Sequence, residues 1–470
     1  MDIRAKNEGV RLNLFHLSQL FFHEDAKHFS ILCTEDDKAV FVELKKGSVV
    51  HKGIGTKNLF LHKEEGRSAN AALGKAFAEA ARNFTSYLPP YGILFGVRPV
   101  KVPLFYLKNG FSREEVFAIL KNEFFVSDEK ANLLFTLAET ERNFRKKFTS
   151  EDGMLYLSIP FCPSRCRYCS FISSSAPDHL KLIPEYVALL KEEILLTAQV
   201  FSSAKKRLRA VYMGGGTPGI LSAQQMGDIL STVKASFDFS NLEEFCVEIG
   251  RPDTVSEEKL SVLKEMGVDR ISINPQTTNN DTLFRIGRNH SAETFFHAME
   301  MAKKKDFYSI NCDLIAGLEG ESPEDFLSSL SHVLSLQPEE VTIHALCKKR
   351  SATDQSTPLF APIWQEAMTK AHKTCINEHF APYYLYRQKN AVADLENTGF
   401  SRKEKFGIYN LAMMEDVCDI FACGAGGISK ILPKNAEDRI LRFAGFKYPY
   451  EYLSDKEKIK TRLDEIKLVL

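Results

Sequence analysis

Three cysteines lie close together in the segment YLSIPFCPSRCRYCSF at 156–171, with the spacing C-x3-C-x2-C. They are Cys162, Cys166 and Cys169. Three thiolates can hold three corners of an iron–sulfur cube, and a site with three protein ligands leaves one iron open to a substrate or cofactor. The spacing therefore predicts a [4Fe–4S] cluster with one exchangeable position.

Two other interpretations of these cysteines stay open at this point. A structural zinc site usually needs a fourth Cys or His, and the next candidate is His179, beyond a serine-rich stretch. Three unconnected core cysteines are the other alternative, since free cysteine is often buried, although it is rarely so clustered. The remaining seven cysteines are scattered along the chain, and we assign them no chemical role.

The composition narrows the possible partners. The 470 residues carry 61 basic and 61 acidic side chains, a balance that argues against a general nucleic-acid binder. No stretch approaches the roughly 18 apolar residues of a membrane span, and acidic residues interrupt the N-terminus, unlike a signal peptide. We therefore expect a cytoplasmic protein with neither a nucleic-acid nor a membrane partner. Its reduced cysteines favour metal binding over disulfides.

The elements that must position the cysteines follow an alternating pattern. Short apolar runs occur at 155–159, 210–213, 245–249, 270–273, 309–314 and 341–346. Helical segments lie between them, at 184–198, 224–237, 257–266, 292–304 and 323–334. Six such units predict an α/β fold with a parallel sheet, and we favour an open partial (β/α)6 barrel over a doubly wound sheet. Chemistry is expected at the carboxyl ends of the strands.

Local signals and changes of pattern predict three domains. Ser222 and Gln225 form a capping box, and Ser322 precedes Pro323 at another helix start. Residues 1–148 form a predicted α+β domain with a helical linker, from β runs at 29–33 and 39–44 and helices at 69–87, 112–121 and 128–147. Residues 149–380 form the partial barrel. Residues 381–470 form a small mixed domain that covers the active site and ends in a charged helix at 455–468.

Several motifs, in order, identify a family resemblance. The cysteine spacing after the first strand, with an aromatic residue before the third cysteine, resembles the signature of radical S-adenosylmethionine (SAM) enzymes. GGGTP at 214–218, VEIGRPD at 247–253, ISINPQT at 271–277, IGRNH at 286–290 and NCDLIAGLEGE at 311–321 resemble the oxygen-independent coproporphyrinogen oxidase family. GILFGVRPVK, YYLYRQKN and GAGGISK are similar to its HemZ branch. The resemblance implies a [4Fe–4S] cluster held by the three cysteines and one or two SAM molecules.

The resemblance also implies contacts to SAM. Tyr156 would hydrogen-bond the first SAM, as a residue of the catalytic site, and Gly215 and Ile428 would line that site. Glu248 would accept hydrogen bonds from SAM; alone, it would more often be a salt-bridged strand end. Glycines at 214–216 carry no Cβ, so backbone can approach the methionyl amine; a structural tight turn is the alternative, which the context makes the weaker one. The first-site residues are thus Tyr156, Gly214, Gly215, Gly216, Glu248 and Ile428.

A second SAM is held by family members closest to the decarboxylating enzyme. The matching positions here are Tyr168, Gly216, Thr217, Gln276, Arg288, Asp313 and Ala345. Three of them, Gln276, Arg288 and Asp313, are polar and stand at successive strand ends or loops. That placement favours a shared ligand over solvated surface.

The implied activity is oxygen-independent dehydrogenation of coproporphyrinogen III in porphyrin and haem biosynthesis. SAM cleavage yields a 5′-deoxyadenosyl radical that removes a hydrogen from a propionate β-carbon, and loss of CO2 and one electron leaves a vinyl group. A reduced flavodoxin or ferredoxin-type protein would donate the first electron. A haem-binding chaperone of the HemW type is the alternative, although its H-N-x-x-Y-W segment is missing from this sequence. A tetrapyrrole methyltransferase or ring-opening enzyme is a third.

The implied substrate, coproporphyrinogen, carries four propionates, and a protein of zero net charge can bind them only through locally placed cations. Arginine is favoured because its planar guanidinium pairs with a carboxylate through two hydrogen bonds. Arg387 is the preferred catalytic-site contact, because Tyr383, Tyr384 and Tyr386 would offer ring faces to a macrocycle. The full set of candidates is Arg165, Arg167, Lys348, Lys349, Arg350, Arg387 and Lys389.

Overall fold

A computed structural model describes residues 1–94, 96, 98–169, 175, 177–347, 362–388, 390–434 and 439–470. Its contacts divide the chain into two compact units. Unit 1 comprises Met1–Thr140 and Tyr386–Lys389, and unit 2 comprises Glu141–Leu385 and Asn390–Leu470. The predicted three-domain division at 148 and 380 differs from this one, because residues from 390 onward pack with the barrel instead of forming a unit of their own.

Unit 1 contains a four-stranded sheet in the order β1-β2-β3-β4, parallel between β1 and β2 and antiparallel elsewhere. The strands are β1 (Asp2–Arg4), β2 (Phe29–Glu35), β3 (Ala39–Lys46) and β4 (Val49–Thr56). The helices are α1 (Glu8–Phe22), α2 (Leu59–His62), α3 (Glu65–Ala81), α4 (Lys101–Lys108), α5 (Arg113–Asn122) and α6 (Asp128–Arg145), which runs past the boundary. The α+β class predicted for this region is confirmed, whereas α1 and β4 were not predicted.

Glycine explains why β4 resembles a turn in the sequence. A Cβ on Gly55 would lie 1.8 Å from the carbonyl oxygen of Ala72, and one on Gly53 would lie 2.0 Å from that of Ala76. Both alanines belong to α3, so helix and strand touch backbone to backbone at these positions. Glycine in a strand interior often marks such a close approach.

Unit 2 is built on six parallel strands that pair in sequence order. They are β5 (Asp152–Ile159), β6 (Arg207–Gly215), β7 (Glu244–Gly250), β8 (Arg270–Ile273), β9 (Ser309–Ala316) and β10 (Glu340–Ala345). The connecting helices are α7 (Pro177–Leu180), α8 (Ile183–Ser203), α9 (Ala223–Ser236), α10 (Glu257–Glu265), α11 (Asn280–Arg285), α12 (Ala292–Lys303) and α13 (Pro323–Ser335). This arrangement confirms the predicted partial (β/α)6 barrel.

The rest of the chain covers both edges of these six strands. Its elements are α14 (Pro362–Asn377), β11 (Ala381–Arg387), β12 (Glu396–Ser401), α15 (Ile408–Glu415), β13 (Asp419–Cys423), β14 (Ile428–Ile431), β15 (Leu441–Ala444), α16 (Pro449–Ser454) and α17 (Lys456–Val469). β12 pairs antiparallel with β10, and β13 pairs parallel with β5. Open strand edges invite pairing with other chains, and these additions remove two of them.

The predicted helix starts are confirmed. The Ser222 hydroxyl accepts the backbone N–H of Gln225 at the start of α9, and Ser322 caps α13 in the same way, with Pro323 as its first residue. Such caps satisfy backbone donors that the helix itself leaves unpaired. Across the described ranges, no helix combines the length and the apolar character needed to cross a membrane.

A buried ionic cluster anchors α15 to the amino ends of the barrel strands. The Glu244 carboxylate accepts the backbone N–H groups of Ile408 and Tyr409, as an anion at a helix N-terminus commonly does. Arg270 pairs with both Glu244 and Glu340. The anchored helix places Tyr409 inside the barrel, where its ring stacks on that of Tyr212 at 4.5 Å between centroids.

Candidate active site

The cysteine loop begins where β5 ends and is held against the glycine segment after β6. Gly216 and Thr217 donate their backbone N–H groups to the carbonyl oxygens of Ile159 and Phe161, at 2.8 and 2.7 Å. Cys166 is buried, and Cys162 and Cys169 are partly buried. Within the described part of the chain no three metal-ligating side chains converge tightly enough to hold an ion. The assignment of the three thiols as cluster ligands therefore remains a prediction.

Hydrogen-bond donors surround the thiols. The Thr217 hydroxyl lies 3.4 Å from Cys162 Sγ, and the Arg288 guanidinium interacts electrostatically with Cys166 and the Tyr168 hydroxyl. The Arg288 side chain is itself fixed, since its Nη1 donates to the carbonyl oxygen of Asn274 at 2.6 Å. Donors to sulfur favour the thiolate and tune a bound metal, so this donor set fits an iron–sulfur cluster.

Further contacts fix the loop backbone. The Ser164 hydroxyl donates to the carbonyl oxygen of Gly287 at 3.2 Å and accepts from Arg251 Nη1 at 2.7 Å. Arg167 donates its backbone N–H to the carbonyl oxygen of Ile286 at 3.0 Å. The IGRNH segment at 286–290 therefore orients the cysteine loop as well as supplying Arg288.

The glycine segment has a packing requirement of its own. A Cβ on Gly216 would lie 2.5 Å from the carbonyl oxygen of Phe161, and one on Gly214 would lie 2.8 Å from Glu248 Oε2. Gly215 adopts a φ of +111°, which side-chain-bearing residues rarely adopt. Glycine is thus needed here both for the turn and for close contact with the cysteine loop and Glu248.

Polar side chains from neighbouring strands line the barrel interior. Glu248 on β7 accepts from the Tyr212 hydroxyl at 3.4 Å and from Asn274 Nδ2 at 3.5 Å. Asp313 on β9 donates its backbone N–H to Asn274 Oδ1 at 3.2 Å. Burial, and next the negative charge of Asp313, raise the pKa of Glu248 to about 7. Two carboxylates facing one interior fit a cationic, polar ligand such as SAM.

Gln276 has two features that are typical of residues in ligand sites. Its backbone, with a φ of +69°, is held by an N–H donated to the carbonyl oxygen of Asp313 at 2.9 Å. The side chain is buried, and no described residue hydrogen-bonds its Oε1. A buried polar atom without a partner is costly, and left-handed backbone at a non-glycine residue is typical of functional sites.

The other predicted SAM contacts are more dispersed. Tyr156 lies on β5 in the aromatic stack, 6.3 Å from Tyr212 and 6.0 Å from Tyr409 between ring centroids, and burial raises its pKa. Ala345 is buried at the end of β10, and Ile428 begins β14 with about half of its surface exposed.

The propionate candidates divide into three groups. Lys348, Lys349, Arg350 and Lys389 lie outside the described residues. Arg165 and Arg167 are exposed on the cysteine loop. Arg387 is buried in unit 1, where its Nη1 donates to the carbonyl oxygen of Leu94 at 2.8 Å and its guanidinium covers the Tyr91 ring.

The tyrosine ring faces expected beside Arg387 are largely inaccessible. Tyr383 and Tyr384 are 3% and 6% exposed, and the Tyr383 hydroxyl donates to Glu340 at 2.8 Å. The ionic cluster at the strand starts, which the sequence does not reveal, determines where Tyr383 packs.

Residue types alone did not single out Asn274, Asn311 or His344, which also line the interior. Side chains alternate between the two faces of a strand. Asn311 is therefore on the face of Asp313, and His344 shares its face with Thr342, which reaches Asn311. The alternation of side chains along each strand is therefore the sequence signal that could have identified Asn311 and His344.

Comparisons with known proteins agree with this geometry. The family model of the radical SAM superfamily matches residues 156–333. The chain is 33% identical over 415 residues to the oxygen-independent coproporphyrinogen-III oxidase-like protein HemZ of Bacillus subtilis (strain 168), covering 85% of this chain and 82% of that protein. It is 35% identical over 196 residues to the heme chaperone HemW of the same strain, covering 41% of this chain and 49% of that protein.

A solved structure supports the fold. The coproporphyrinogen III oxidase HemN from Escherichia coli aligns with a TM-score of 0.53 at 20% identity, covering 70% of this chain and 73% of that one. The similarity to HemZ extends over most of both chains. The chain therefore belongs to the radical SAM superfamily and, within it, to the family of the coproporphyrinogen-III oxidase-like protein HemZ.

Proposed function

We propose that this protein is a coproporphyrinogen III dehydrogenase, a radical SAM oxidoreductase that works without oxygen. It converts propionates of coproporphyrinogen III to the vinyl groups of protoporphyrinogen IX, for porphyrin and haem biosynthesis. Each conversion removes a hydrogen atom from the β-carbon, releases CO2 and passes one electron to an acceptor. The observation that carries the proposal is the link that Arg288 makes between the cysteine loop and the carboxylate-lined interior.

Different residues of the chain would bind the cluster and SAM. Cys162, Cys166 and Cys169 would hold a [4Fe–4S] cluster, and Thr217 and Arg288 would donate hydrogen bonds to its thiolates. Glu248, Asp313 and the unpartnered Gln276 Oε1 would bind polar groups of one or two SAM molecules. What the cluster and SAM supply when bound is one-electron chemistry and hydrogen-atom abstraction. A reduced flavodoxin or ferredoxin-type protein would serve as the electron donor.

A HemW-type haem chaperone is the second candidate, because part of the chain is 35% identical to HemW. Two observations favour the enzyme. The similarity to HemZ extends over 85% of the chain at 33% identity, whereas that to HemW covers 41% of the chain at 35% identity for the protein of Bacillus subtilis and 64% at 29% identity for that of Haemophilus influenzae. The single tryptophan, Trp364, is buried on α14 against Phe326, and no H-N-x-x-Y-W segment exists in the sequence.

Product analysis separates the candidates. The reconstituted protein is incubated without oxygen with coproporphyrinogen III, SAM and a reductant, and the tetrapyrroles are identified by mass spectrometry. Loss of two CO2 molecules per tetrapyrrole supports the proposal. Haem transfer without turnover would instead support the chaperone, and a methylated or linear product would indicate a methyltransferase or ring-opening enzyme.

The cluster ligands are tested by Cys162→Ser, Cys166→Ser and Cys169→Ser. We expect each variant to lose the cluster absorbance and SAM cleavage, because serine is a poor ligand for iron and three protein ligands are the minimum here. The fold should persist, since the barrel has its own apolar core. Cys33→Ser, in unit 1, is the matched control and should keep its full iron content. Normal iron content in the three loop variants would contradict the assignment.

A further inference from the structure

The barrel interior contains a histidine that the proposed function leaves without a role. His344 lies near the end of β10, and 26% of its side chain is exposed. Its Nε2 is 3.7 Å from Asp313 Oδ2 on the neighbouring strand β9. This distance allows an ion pair when the ring carries a second proton.

The surroundings fix which nitrogen of His344 carries the first proton. Asn397 Oδ1 lies 3.2 Å from His344 Nδ1 and also accepts the backbone N–H of Ala345 at 3.1 Å. Because a backbone N–H can only donate, the Asn397 atom at this position must be its oxygen. Nδ1 therefore donates to Asn397 in both protonation states. Nε2, which faces Asp313, is the nitrogen that gains or loses a proton.

Asp313 is held from its other side as well. Its Oδ1 accepts from Asn311 Nδ2 at 2.8 Å, so the carboxylate is oriented with Oδ2 towards His344. Among the residues that the structure describes, the titratable groups facing this pair come from two further strands. They are Glu248 on β7 and Tyr212 on β6.

We propose that His344 is a positioning residue whose Nε2 proton determines whether the Asp313 carboxylate is available to a cationic ligand in the barrel. With the proton, His344 pairs with Asp313 and places a positive charge beside the ligand. Without this proton the His344 ring is neutral, so it does not offset the negative charges of Asp313 and Glu248, which face the ligand. The inference rests on the proposed function only in taking SAM, which carries a sulfonium and an ammonium group, as that ligand.

The expected direction of the pH effect follows from the same contacts. Burial lowers the pKa of His344, but the hydrogen bond to Asp313 and its negative charge outweigh burial and raise the pKa. SAM should therefore bind more tightly as pH rises above the ordinary histidine range. Glu248, with a pKa of about 7, ionises over the same range and changes affinity in the same direction. The two contributions are separated by substitution.

The experiment measures SAM affinity by anaerobic equilibrium dialysis of the cluster-loaded protein from pH 6 to 9. The slope of log Kd against pH gives the number of protons released when SAM binds. In His344→Gln only Glu248 still contributes to this number, so the slope should be smaller by up to one proton than in the wild type. The variant should bind SAM about tenfold more tightly than the wild type at pH 6 and equally at pH 9. His344→Asn gives the same readout with a smaller side chain. His297→Gln, an exposed histidine on α12, should keep the wild-type profile.

The possible failures are distinguishable. Identical pH profiles in the wild type and in both His344 variants would overturn the role of His344 and leave the proposed function standing. A wild type that binds no SAM at any pH would overturn both. Loss of affinity in the variants at every pH, with an unchanged slope, would show a direct contact and also overturn the positioning role.

Discussion

At the scale of single residues, burial does more than neighbouring charge to set the protonation of Glu248 and Glu321. Burial is the first cause of the raised pKa of Glu248, to about 7, and of Glu321, to about 8. Glu321 accepts a hydrogen bond from the Thr277 hydroxyl, which lowers its pKa without cancelling the effect of burial. Both side chains therefore stay protonated, in the absence of a ligand, at pH values where an exposed glutamate is ionised.

The Glu321→Gln variant tests this conclusion. In the folded wild type Glu321 keeps its proton up to about pH 8, whereas in the unfolded chain it ionises near its ordinary value of 4.5. Between these values the unfolded state alone releases the proton, so the free energy of unfolding should fall as pH rises, by at most about 1.4 kcal/mol per pH unit. Glutamine removes this decline.

The measurement is the urea midpoint of wild type and Glu321→Gln between pH 5 and 8. The advantage of the variant should grow steadily with pH, since all other titrations cancel in the difference. Glu324→Gln, on the exposed surface of α13, is the control and should follow the wild type. A constant difference between Glu321→Gln and wild type would mean that Glu321 is ionised in the folded protein.

Only part of the candidate site could be predicted from the sequence, because some of its residues belong to recognisable motifs and others do not. The cysteines, Glu248 and Asp313 could be named because they belong to motifs. His344 belongs to none, and its role depends on Asn397, which reaches it from β12. A strand that pairs with β10 across so long a connection cannot be inferred from local pattern.

At the scale of elements, the contact between β4 and α3 shows how glycine and alanine substitute for a conventional apolar interface. Gly53 and Gly55 meet the backbone of α3 directly, at Ala76 and Ala72. The six barrel strands were predictable because each is a short apolar run between helices. β4 was not, because the glycines that permit this contact also resemble a turn.

The Gly55→Ala variant should destabilise unit 1. Its new Cβ would lie 1.8 Å from the carbonyl oxygen of Ala72, so helix and strand must move apart. Overpacking of this kind costs about 1–3 kcal/mol or more. The free energy of unfolding, from urea denaturation followed by circular dichroism, should fall accordingly.

The matched control is Gly66→Ala on α3, where a Cβ meets nothing within 4 Å. Alanine is the better helix former by about 1 kcal/mol, so this control should be stabilised. Two glycine-to-alanine changes would thus act in opposite directions within one unit. Equal stability of Gly55→Ala and wild type would show that the helix is not seated against β4.

At the scale of the whole molecule, the chain returns to unit 1 long after leaving it. Tyr386–Lys389 belong to that unit, although they follow the barrel strands in sequence. Arg387 supplies the contacts described above, to the Leu94 carbonyl and the Tyr91 ring. A prediction based on sequence continuity places these residues in a C-terminal domain, because no local signal marks such a return.

Arg387→Ala tests both the structural contact and the predicted contact with a propionate. Loss of the hydrogen bond and of the ring contact should destabilise unit 1 by about 1–3 kcal/mol. If Arg387 also contacts a propionate, kcat/KM for coproporphyrinogen III should fall roughly ten- to hundredfold. SAM cleavage without substrate should persist. The readouts are thermal unfolding and steady-state rates measured well below the melting temperature.

Arg387→Lys keeps the charge but not the planar group, and should recover only part of each effect. Turnover equal to wild type in a destabilised Arg387→Ala variant would assign the residue to packing alone. Unchanged stability would contradict the contacts with Leu94 and Tyr91.

The pairing of β13 with β5 has a consequence for the order of events during synthesis. The Ser158 hydroxyl at the end of β5 donates to the carbonyl oxygen of Ala425, 267 residues further along the chain. A ribosome must therefore release the chain beyond Ala425 before the first barrel strand gains its second neighbour. Until then the cysteine loop follows a strand with an open edge, in the kind of intermediate that chaperones protect. Contacts this distant in sequence also slow folding. A cluster held by the cysteine loop would therefore be inserted only after β13 has been synthesised.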